Sequence, residues 1–221
     1  MTTLSSRKRK CVVCGTENNF KTLFSSSSSS GSRDLDLRPP EMYRSTMPYW
    51  VQECKYCGYV ATDISSDCGK VTIDWLKTQE YLCCDGINFT DALAARFYKD
   101  YKIKLLNDNT EKACSAIINA AWACDDAGDQ ANAICCRKIA INLLEKMIKG
   151  NHECAETMRL MKADLLRRAE LFEELEAEYS GCVFGEEVMD KVLAFELEKA
   201  AQKDIKCYTI DEAVNWADRK K

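Results

Sequence analysis

The chain has 221 residues, of which 46% are hydrophobic and 30% charged, a balance that is typical of globular proteins and excludes a disordered chain. Its formal net charge is −4, so the chain as a whole is not expected to bind polyanions. No stretch comes near the roughly 20 apolar residues that a membrane span requires, and the basic N-terminus lacks the apolar core of a signal peptide. We therefore expect a cytoplasmic protein that is not embedded in a membrane.

The composition of the chain changes near Gly69, which predicts a small module in front of a larger helical one. All three prolines and the long serine run lie before this residue, whereas the part after it has no proline and is rich in helix-forming residues. The predicted organisation is a basic flexible arm at 1–10, a zinc ribbon at 11–62 with a serine-rich loop at 25–32, and an all-helical domain at 70–221.

Two short cysteine motifs carry the strongest chemical signal in the sequence. They are Cys11-Val12-Val13-Cys14-Gly15 and Cys54-Lys55-Tyr56-Cys57-Gly58. Two residues between the cysteines let both sulfurs of a motif reach one ion, and the glycine that follows permits the positive φ of the tight turn. We therefore predict a closed site with one structural zinc ion, bound by Cys11, Cys14, Cys54 and Cys57.

Iron is the alternative metal for this site. A rubredoxin-like iron site uses the same four thiolates in the same tetrahedral geometry. Zinc is favoured because the sequence shows no partner for electron transfer. A redox-active CxxC of the thioredoxin type is disfavoured, since it needs a βαβ context that the sequence lacks.

Short strands and one loop are predicted around these motifs. Residues 19–24 have the composition of a strand, and residues 49–53 lead into the second motif. Between them the serine-rich stretch predicts a loop, and Pro39 and Pro40 keep the chain extended after it.

From about Val71 onward the apolar residues recur at the helical period. One helix is predicted at 90–106 with Thr90 as its N-cap, and Thr209 with Glu212 forms a capping box for a last short helix. The predicted fold is therefore mainly α, with a small N-terminal β zinc ribbon followed by helical hairpins.

The helical hairpin around Gly128 looks like a tetratricopeptide unit, because small residues occupy the positions where such helices touch, at Ala121, Ala133 and Ala140. A second, poorer match turns at Glu170, 42 residues further on, against about 34 in a regular array. We therefore predict an irregular tetratricopeptide-like helical-hairpin stack and not a regular repeat protein.

The remaining cysteines and the one histidine favour structural roles. Cys114, Cys124 and Cys136 fall on apolar helix faces and are expected to be buried free thiols. Cys68 lies near a turn, and two pairs are vicinal, so a second metal site or redox relay is the alternative to packing for Cys68, Cys83, Cys84, Cys135 and Cys136. His152 is the sole histidine and is expected at the surface, which leaves no Ser-His-Asp or histidine–metal chemistry. No enzyme is expected.

Between and after the motifs, two stretches resemble an uncharacterised bacterial family, the domain of unknown function 2225. They are Cys57-Gly58-Tyr59 and Gly31-Ser32-Arg33-Asp34-Leu35-Asp36-Leu37-Arg38-Pro39-Pro40-Glu41-Met42. The resemblance covers most of the chain and implies a four-cysteine ribbon followed by tetratricopeptide-like helices. It implies no known reaction.

Two functions are compatible with these observations. The leading hypothesis is a non-enzymatic adaptor that binds a protein or peptide partner, because helical-hairpin stacks form concave binding surfaces. The alternative is nucleic-acid binding through the ribbon, with Arg7, Lys8, Arg9, Lys10, Arg33, Arg38, Arg44 and Trp50 as contacts. The acidic composition of the helical part disfavours this alternative, since it would repel phosphate.

Overall fold

The computed structural model describes residues 2–26, 31–84, 86–150 and 155–220. The chain is mainly helical, and small antiparallel strands with a four-cysteine cluster precede the helices. This confirms the predicted fold class; the likeness to tetratricopeptide hairpins stays a prediction. Within the described ranges, no helix combines the length and the apolar character that crossing a lipid bilayer demands.

The chain folds into two compact units, and each is made of two stretches of chain. Unit 1 comprises Met1–Ser29 and Glu41–Ala133, and unit 2 comprises Ser30–Pro40 and Ile134–Lys221. A segment from inside the predicted ribbon therefore packs in unit 2. The predicted domain boundaries concern independent folding and stay a prediction.

Unit 1 begins with two antiparallel pairs of strands, and each pair is closed by one cysteine motif. Strands β1 (Thr2–Lys10) and β2 (Glu17–Ser26) flank the first motif, and β3 (Gln52–Glu53) and β4 (Val60–Ala61) flank the second. The strand predicted at 19–24 lies within β2.

The N-terminal residues differ from the prediction of a flexible arm, because 2–10 form β1. The ladder continues directly from the first motif, where the Cys11 N–H donates to the Thr16 carbonyl at 2.9 Å. The basic side chains do not oppose this pairing, because a two-stranded ribbon leaves them in water. Likewise Ser25 and Ser26 belong to β2 and not to a loop, while residues 27–30 lie outside the described part.

The helices of unit 1 follow two short 3₁₀ segments, Arg44–Tyr49 and Trp75–Lys77. They are α1 (Gln79–Leu82), α2 (Ala92–Leu106) and α3 (Thr110–Asp126). The N-cap of α2 is Asp91 and not the predicted Thr90, because the Asp91 carboxylate accepts the Ala94 N–H at 2.9 Å.

The boundary between the units falls within α4 (Gln130–Lys149), and the helices of unit 2 follow it. They are α5 (Ala155–Arg168), α6 (Phe172–Tyr179), α7 (Glu187–Ala201) and α8 (Ile210–Arg219). The capping box predicted for Thr209 and Glu212 is present at the start of α8. The predicted surface residue His152 lies outside the described residues.

The segment 31–40 is built into unit 2 by main-chain and side-chain bonds. The Leu35 N–H donates to the Tyr208 carbonyl and the Ile210 N–H to the Arg33 carbonyl, both at 2.9 Å. Leu35 also joins an apolar cluster with three residues of α7 and α8, namely Val192, Phe195 and Ala213.

Charged side chains are buried beneath this segment. Asp36, 1% exposed, accepts a hydrogen bond from Arg168 at 2.9 Å. Arg167, which precedes Arg168 in the sequence, is 0% exposed and donates to Glu196 at 2.5 Å and to Asp164 at 2.7 Å. Burial, together with the nearby Asp164, raises the pKa of Glu196 to about 8, although Arg167 opposes this. Unit 2 therefore holds a network of opposite charges in its interior.

Candidate metal centre

The structure brings together the four cysteines predicted from the motifs. Their Sγ atoms all lie within 4.8 Å of one another, with 3.7 Å between Cys11 and Cys57 and 3.6 Å between Cys14 and Cys54. Four sulfurs at about 2.3 Å from a zinc ion would stand about 3.8 Å apart at the corners of a tetrahedron. The cysteine cluster therefore has the dimensions of a tetrahedral site and could hold a metal ion.

Each motif is shaped by its glycine and by main-chain hydrogen bonds. Gly15 and Gly58 have φ values of 73° and 75°, a conformation that favours glycine. The Gly15 N–H donates to the Cys11 carbonyl at 2.8 Å, and the Gly58 N–H donates to the Cys54 carbonyl at 2.9 Å. These turns point both sulfurs of each motif to the same side, so the ligand geometry follows from local sequence.

Asn18 connects the two motifs, a role that the sequence did not predict. Its side chain is buried, with 5% exposed, and its Nδ2 donates to the Cys54 Sγ at 3.4 Å. Its Oδ1 accepts the Lys55 N–H at 3.1 Å, and Nδ2 also donates to the Thr16 carbonyl at 3.1 Å. The one sequence feature that could have indicated this role is an amide side chain on a strand directly after the first motif. Asn18 thus fixes the second motif against the first.

The surroundings of the sulfurs affect their protonation in opposite directions. Burial raises the pKa of the Cys11 and Cys57 thiols above the ordinary range. Burial acts in the same direction on Cys14, but its hydrogen bonds with Thr16 and with the neighbouring thiols lower its pKa to about 6. Four thiolates at this spacing repel one another, so their joint ionisation requires a cation between them.

The other described cysteines do not form a second site of this kind. In the described ranges, no other group of three or more cysteine, histidine or carboxylate ligands comes together. Cys114, Cys124 and Cys136 are buried, as predicted, and burial raises the pKa of Cys114 to about 12. Cys83 and Cys135 are exposed.

Cys68 and Cys84 are the two remaining candidates for the second site or redox relay, and both are of intermediate exposure. The Cys68 thiol donates to the Val71 carbonyl oxygen at 3.7 Å, across a turn. Cys84 is half-buried, and none of the described cysteines forms a disulfide. Their redox role stays a hypothesis.

The residues proposed for nucleic-acid contact are divided between the two units. Arg7, Lys8 and Lys10 are exposed on β1, whereas Arg9 pairs with Asp63 at 3.3 Å. Arg38 belongs to unit 2 and is only 4% exposed, so it cannot serve as the predicted contact.

The remaining candidates also differ in their accessibility. Trp50 is half-buried, stacks on Tyr43 with 4.9 Å between ring centres, and donates its indole N–H to Thr46 at 2.7 Å. Arg44 is half-buried in unit 1, and Arg33 is exposed in unit 2. The predicted set is therefore reduced to the basic residues of β1 and a few isolated positions.

Comparison with protein families gives one match. Residues 4–179 match the family described as "Uncharacterized protein conserved in bacteria (DUF2225)", as the resemblance of the two stretches implied. No curated protein and no solved structure matches the chain.

Proposed function

Because the chain belongs to this uncharacterised bacterial family, whose description names no activity, we propose a function from the residues themselves. The protein is a zinc-binding, non-enzymatic interaction module that acts as an adaptor or scaffold. The observation that carries the proposal is the closed cluster of four cysteine sulfurs, since four protein ligands leave no coordination position for a substrate.

Zinc is the metal that this donor set supports best. Sulfur ligands at tetrahedral spacing suit zinc and iron alike. The Asn18 side chain and the main-chain turns hold the sulfurs in place, which is the role of a structural site. Cys11, Cys14, Cys54 and Cys57 would each supply one thiolate, and the ion would offset their mutual repulsion.

We expect one zinc ion per chain in the purified protein. Cys14→Ser and Cys57→Ser should each abolish stoichiometric zinc, because three thiolates bind the ion far more weakly than four. Cys114→Ser is the matched control, since its thiol is buried in α3 and should leave the zinc content unchanged. Elemental analysis by mass spectrometry measures the content. Two zinc ions per chain, or full occupancy in Cys57→Ser, would contradict the four-ligand assignment.

The adaptor role is supported by the chemistry that this chain offers. A metal site closed by sulfur can organise a fold but cannot activate water, and the sequence has a single histidine. Hairpins that resemble tetratricopeptide units provide surface for a protein segment. The free thiols of the described cysteines favour a reducing compartment, so we place the protein in the cytoplasm.

Nucleic-acid binding is the second candidate, and one observation favours it. Arg7, Lys8 and Lys10 are exposed on β1, and the ring of Tyr56 in the second motif is 72% exposed. Exposed basic residues and an exposed aromatic ring in the same unit suit a single strand of nucleic acid.

Affinity purification from cells with and without nuclease separates these candidates. We expect protein partners whose recovery survives nuclease treatment and does not change when Arg7, Lys8 and Lys10 are replaced by glutamine, which preserves β1. If nucleic acid is the ligand, the same triple variant should lower the log–log salt slope by up to about three, because each phosphate that is no longer neutralised releases about one counterion fewer. A titration of single-stranded DNA and RNA measures that slope. Submicromolar binding at physiological salt that depends on these residues would reverse the order of the candidates.

A further inference from the structure

Unit 1 has a groove between two strand edges that carry no neighbouring strand in the described residues. Strand β2 pairs only with β1, and β3 pairs only with β4. The groove has a volume of about 460 Å³, and both strands line it, through Asn19, Phe20 and Lys21 on one side and Gln52 and Glu53 on the other. Its walls are therefore two open edges of β-structure.

The hydrogen-bond register shows which groups of β2 face outward. The pair Cys11–Thr16 is hydrogen-bonded. In the same register, Lys8–Asn19 is the third pair beyond it and Ser6–Lys21 the fifth. In an antiparallel ladder the hydrogen-bonded pairs alternate with pairs whose N–H and C=O groups point away from the partner. The main-chain groups of Asn19 and Lys21 therefore point to the open edge.

Strand β3 also has main-chain groups that face outward. The Cys54 N–H donates to the Tyr59 carbonyl at 2.8 Å, and the next pair along the ladder is Glu53–Val60. Because Cys54–Tyr59 is a hydrogen-bonded pair, Glu53–Val60 is not, and the main-chain groups of Glu53 point away from β4. Both edges thus present unused donors and acceptors.

The side chains around the groove are mostly basic above an apolar floor. Lys21 and Lys55 are exposed, whereas Arg96 is half-buried and its Nε lies 3.6 Å from the Glu53 carboxylate. The one acidic member, Glu53, is already neutralised, because it accepts a hydrogen bond from Lys99 at 2.7 Å. The floor consists of apolar and aromatic residues, Phe20, Pro48, Tyr49 and Val51. The net charge of the groove is therefore positive.

We propose that this groove binds an extended acidic segment of a protein partner, which adds a strand along the open edge of β2 or β3. This inference rests on the adaptor function and specifies the chemical character of the partner segment. Addition of a strand supplies main-chain hydrogen bonds, while alternate side chains give specificity. Acidic side chains would face Lys21 and Lys55, and apolar ones the floor.

A peptide fits these features better than nucleic acid does. The open edges alternate N–H donors with C=O acceptors, and a peptide main chain offers the same alternation. A phosphate backbone offers only acceptors and would leave the carbonyl groups of Asn19, Lys21 and Glu53 unpaired. The three lining residues of β2 span about 10 Å, so roughly three to five residues of the partner would lie in the groove.

The test is fluorescence anisotropy with the full-length, zinc-loaded protein. The probe is a labelled peptide of about seven residues that alternates glutamate with valine, a pattern that is typical of a strand. Three competitors are compared with it: the same peptide with N-methyl groups on alternate residues, a lysine–valine peptide, and an oligothymidylate of equal length. The variants are Lys21→Glu, the double variant Lys21→Glu with Lys55→Glu, and Lys77→Glu.

We expect the probe to bind and the double variant to bind at least about tenfold more weakly, because two attractive interactions become repulsive. Lys21→Glu alone should show part of this loss, and it lies outside the cysteine motifs. Lys77→Glu is the matched control, since Lys77 is exposed and pairs only with its neighbour Asp74, and should change binding by less than about twofold. The N-methylated and lysine peptides should fail to compete. Zinc content and circular dichroism check that each variant is folded.

The proposal is overturned if the probe does not bind below about 1 mM, if N-methylation has no effect, or if the oligothymidylate competes better than the acidic peptide. The purification experiment keeps this proposal separate from the adaptor function. If protein partners resist nuclease and the double variant recovers them equally, the groove is wrong and the adaptor function stands. If neither the unmodified protein nor the double variant recovers nuclease-resistant partners, the adaptor function itself fails.

Discussion

Removal of the metal is expected to unfold the two cysteine motifs and their strands while unit 2 keeps its structure. The β1–β2 ribbon is largely exposed, and a two-stranded ribbon is at best marginally stable by itself. Zinc supplies on the order of 10–16 kcal/mol in comparable finger peptides. Asn18 is the one buried residue in the described part of β1 and β2, so this ribbon has no buried apolar side chain to stabilise it when the ion is removed.

Hydrogen–deuterium exchange on the chelated protein measures this effect residue by residue. Amide protection should disappear in β1, β2, β3 and β4, while the far-ultraviolet helical signal should be largely retained. Exchange should also rise near α1, because the Tyr81 hydroxyl donates to the Gly58 carbonyl at 2.5 Å and loses that partner.

Cys57→Ser should behave like the chelated protein, and Cys114→Ser like the untreated one. Loss of the helical signal on chelation would show that the motifs and the helices unfold as one cooperative unit. The boundary predicted at residue 62 would then be wrong.

Replacement of Arg167 by methionine should lower the free energy of unfolding by about 3–5 kcal/mol, because it leaves buried carboxylates without their cation. Arg167 is fully buried between Glu196 and Asp164 and also donates to the carbonyls of Asp204 and Lys206. Urea denaturation followed by circular dichroism measures the loss. The control is Arg219→Met, the same substitution at an exposed position of α8, which should change the free energy by less than about 0.5 kcal/mol.

The loss in Arg167→Met should depend on pH. Without the guanidinium, the pKa of Glu196 rises further above its unfolded value, since burial already raises it. A carboxyl group whose pKa is raised in the folded state binds protons more tightly there than in the unfolded chain. Both proteins lose stability as the pH rises above the ordinary glutamate pKa, but the unmodified protein stops losing it near pH 8, where its Glu196 ionises. The extra destabilisation of Arg167→Met should therefore appear above about pH 8 and be larger at pH 9 than at pH 5.

A second substitution checks that the buried charge is the cause. Adding Glu196→Gln to Arg167→Met removes one of the two carboxylates that Arg167 contacts and should recover part of the stability, with a coupling of about 1–3 kcal/mol between the two sites. Equal losses in the single and double variants, or a loss that is independent of pH, would contradict the ion-network explanation.

The metal cluster was the most predictable part of this molecule because it is encoded locally. Each motif places two sulfurs and one glycine within five residues, and the main-chain bonds of the turn complete the geometry. The helical region was predictable for a similar reason, since its apolar period and its capping box at Thr209 act over a few residues.

The parts that could not be predicted depend on distant or non-apolar partners. Strand β1 has almost no apolar residue to alternate, so its basic run indicated a solvated arm, although the register of the first motif extends it as a strand. Asn18 and Arg167 act through buried polar bonds, which leave no periodic signal. The docking of 31–40 joins residues far apart in the chain, such as Asp34 and Cys207, which are separated by 173 residues.

That separation gives the protein an order of assembly during synthesis. All four cysteines of the cluster have been made by residue 57, whereas the partners of the segment 31–40 near Tyr208 follow about 8–30 s later at roughly 5–20 residues per second. The metal can therefore bind the four cysteines while the segment 31–40 between the two motifs still lacks its partners near Tyr208. A ribosome-bound chain would hold its ion first, and it could bury Asp36 and Leu35 only after Arg168 and Ala213 have been made.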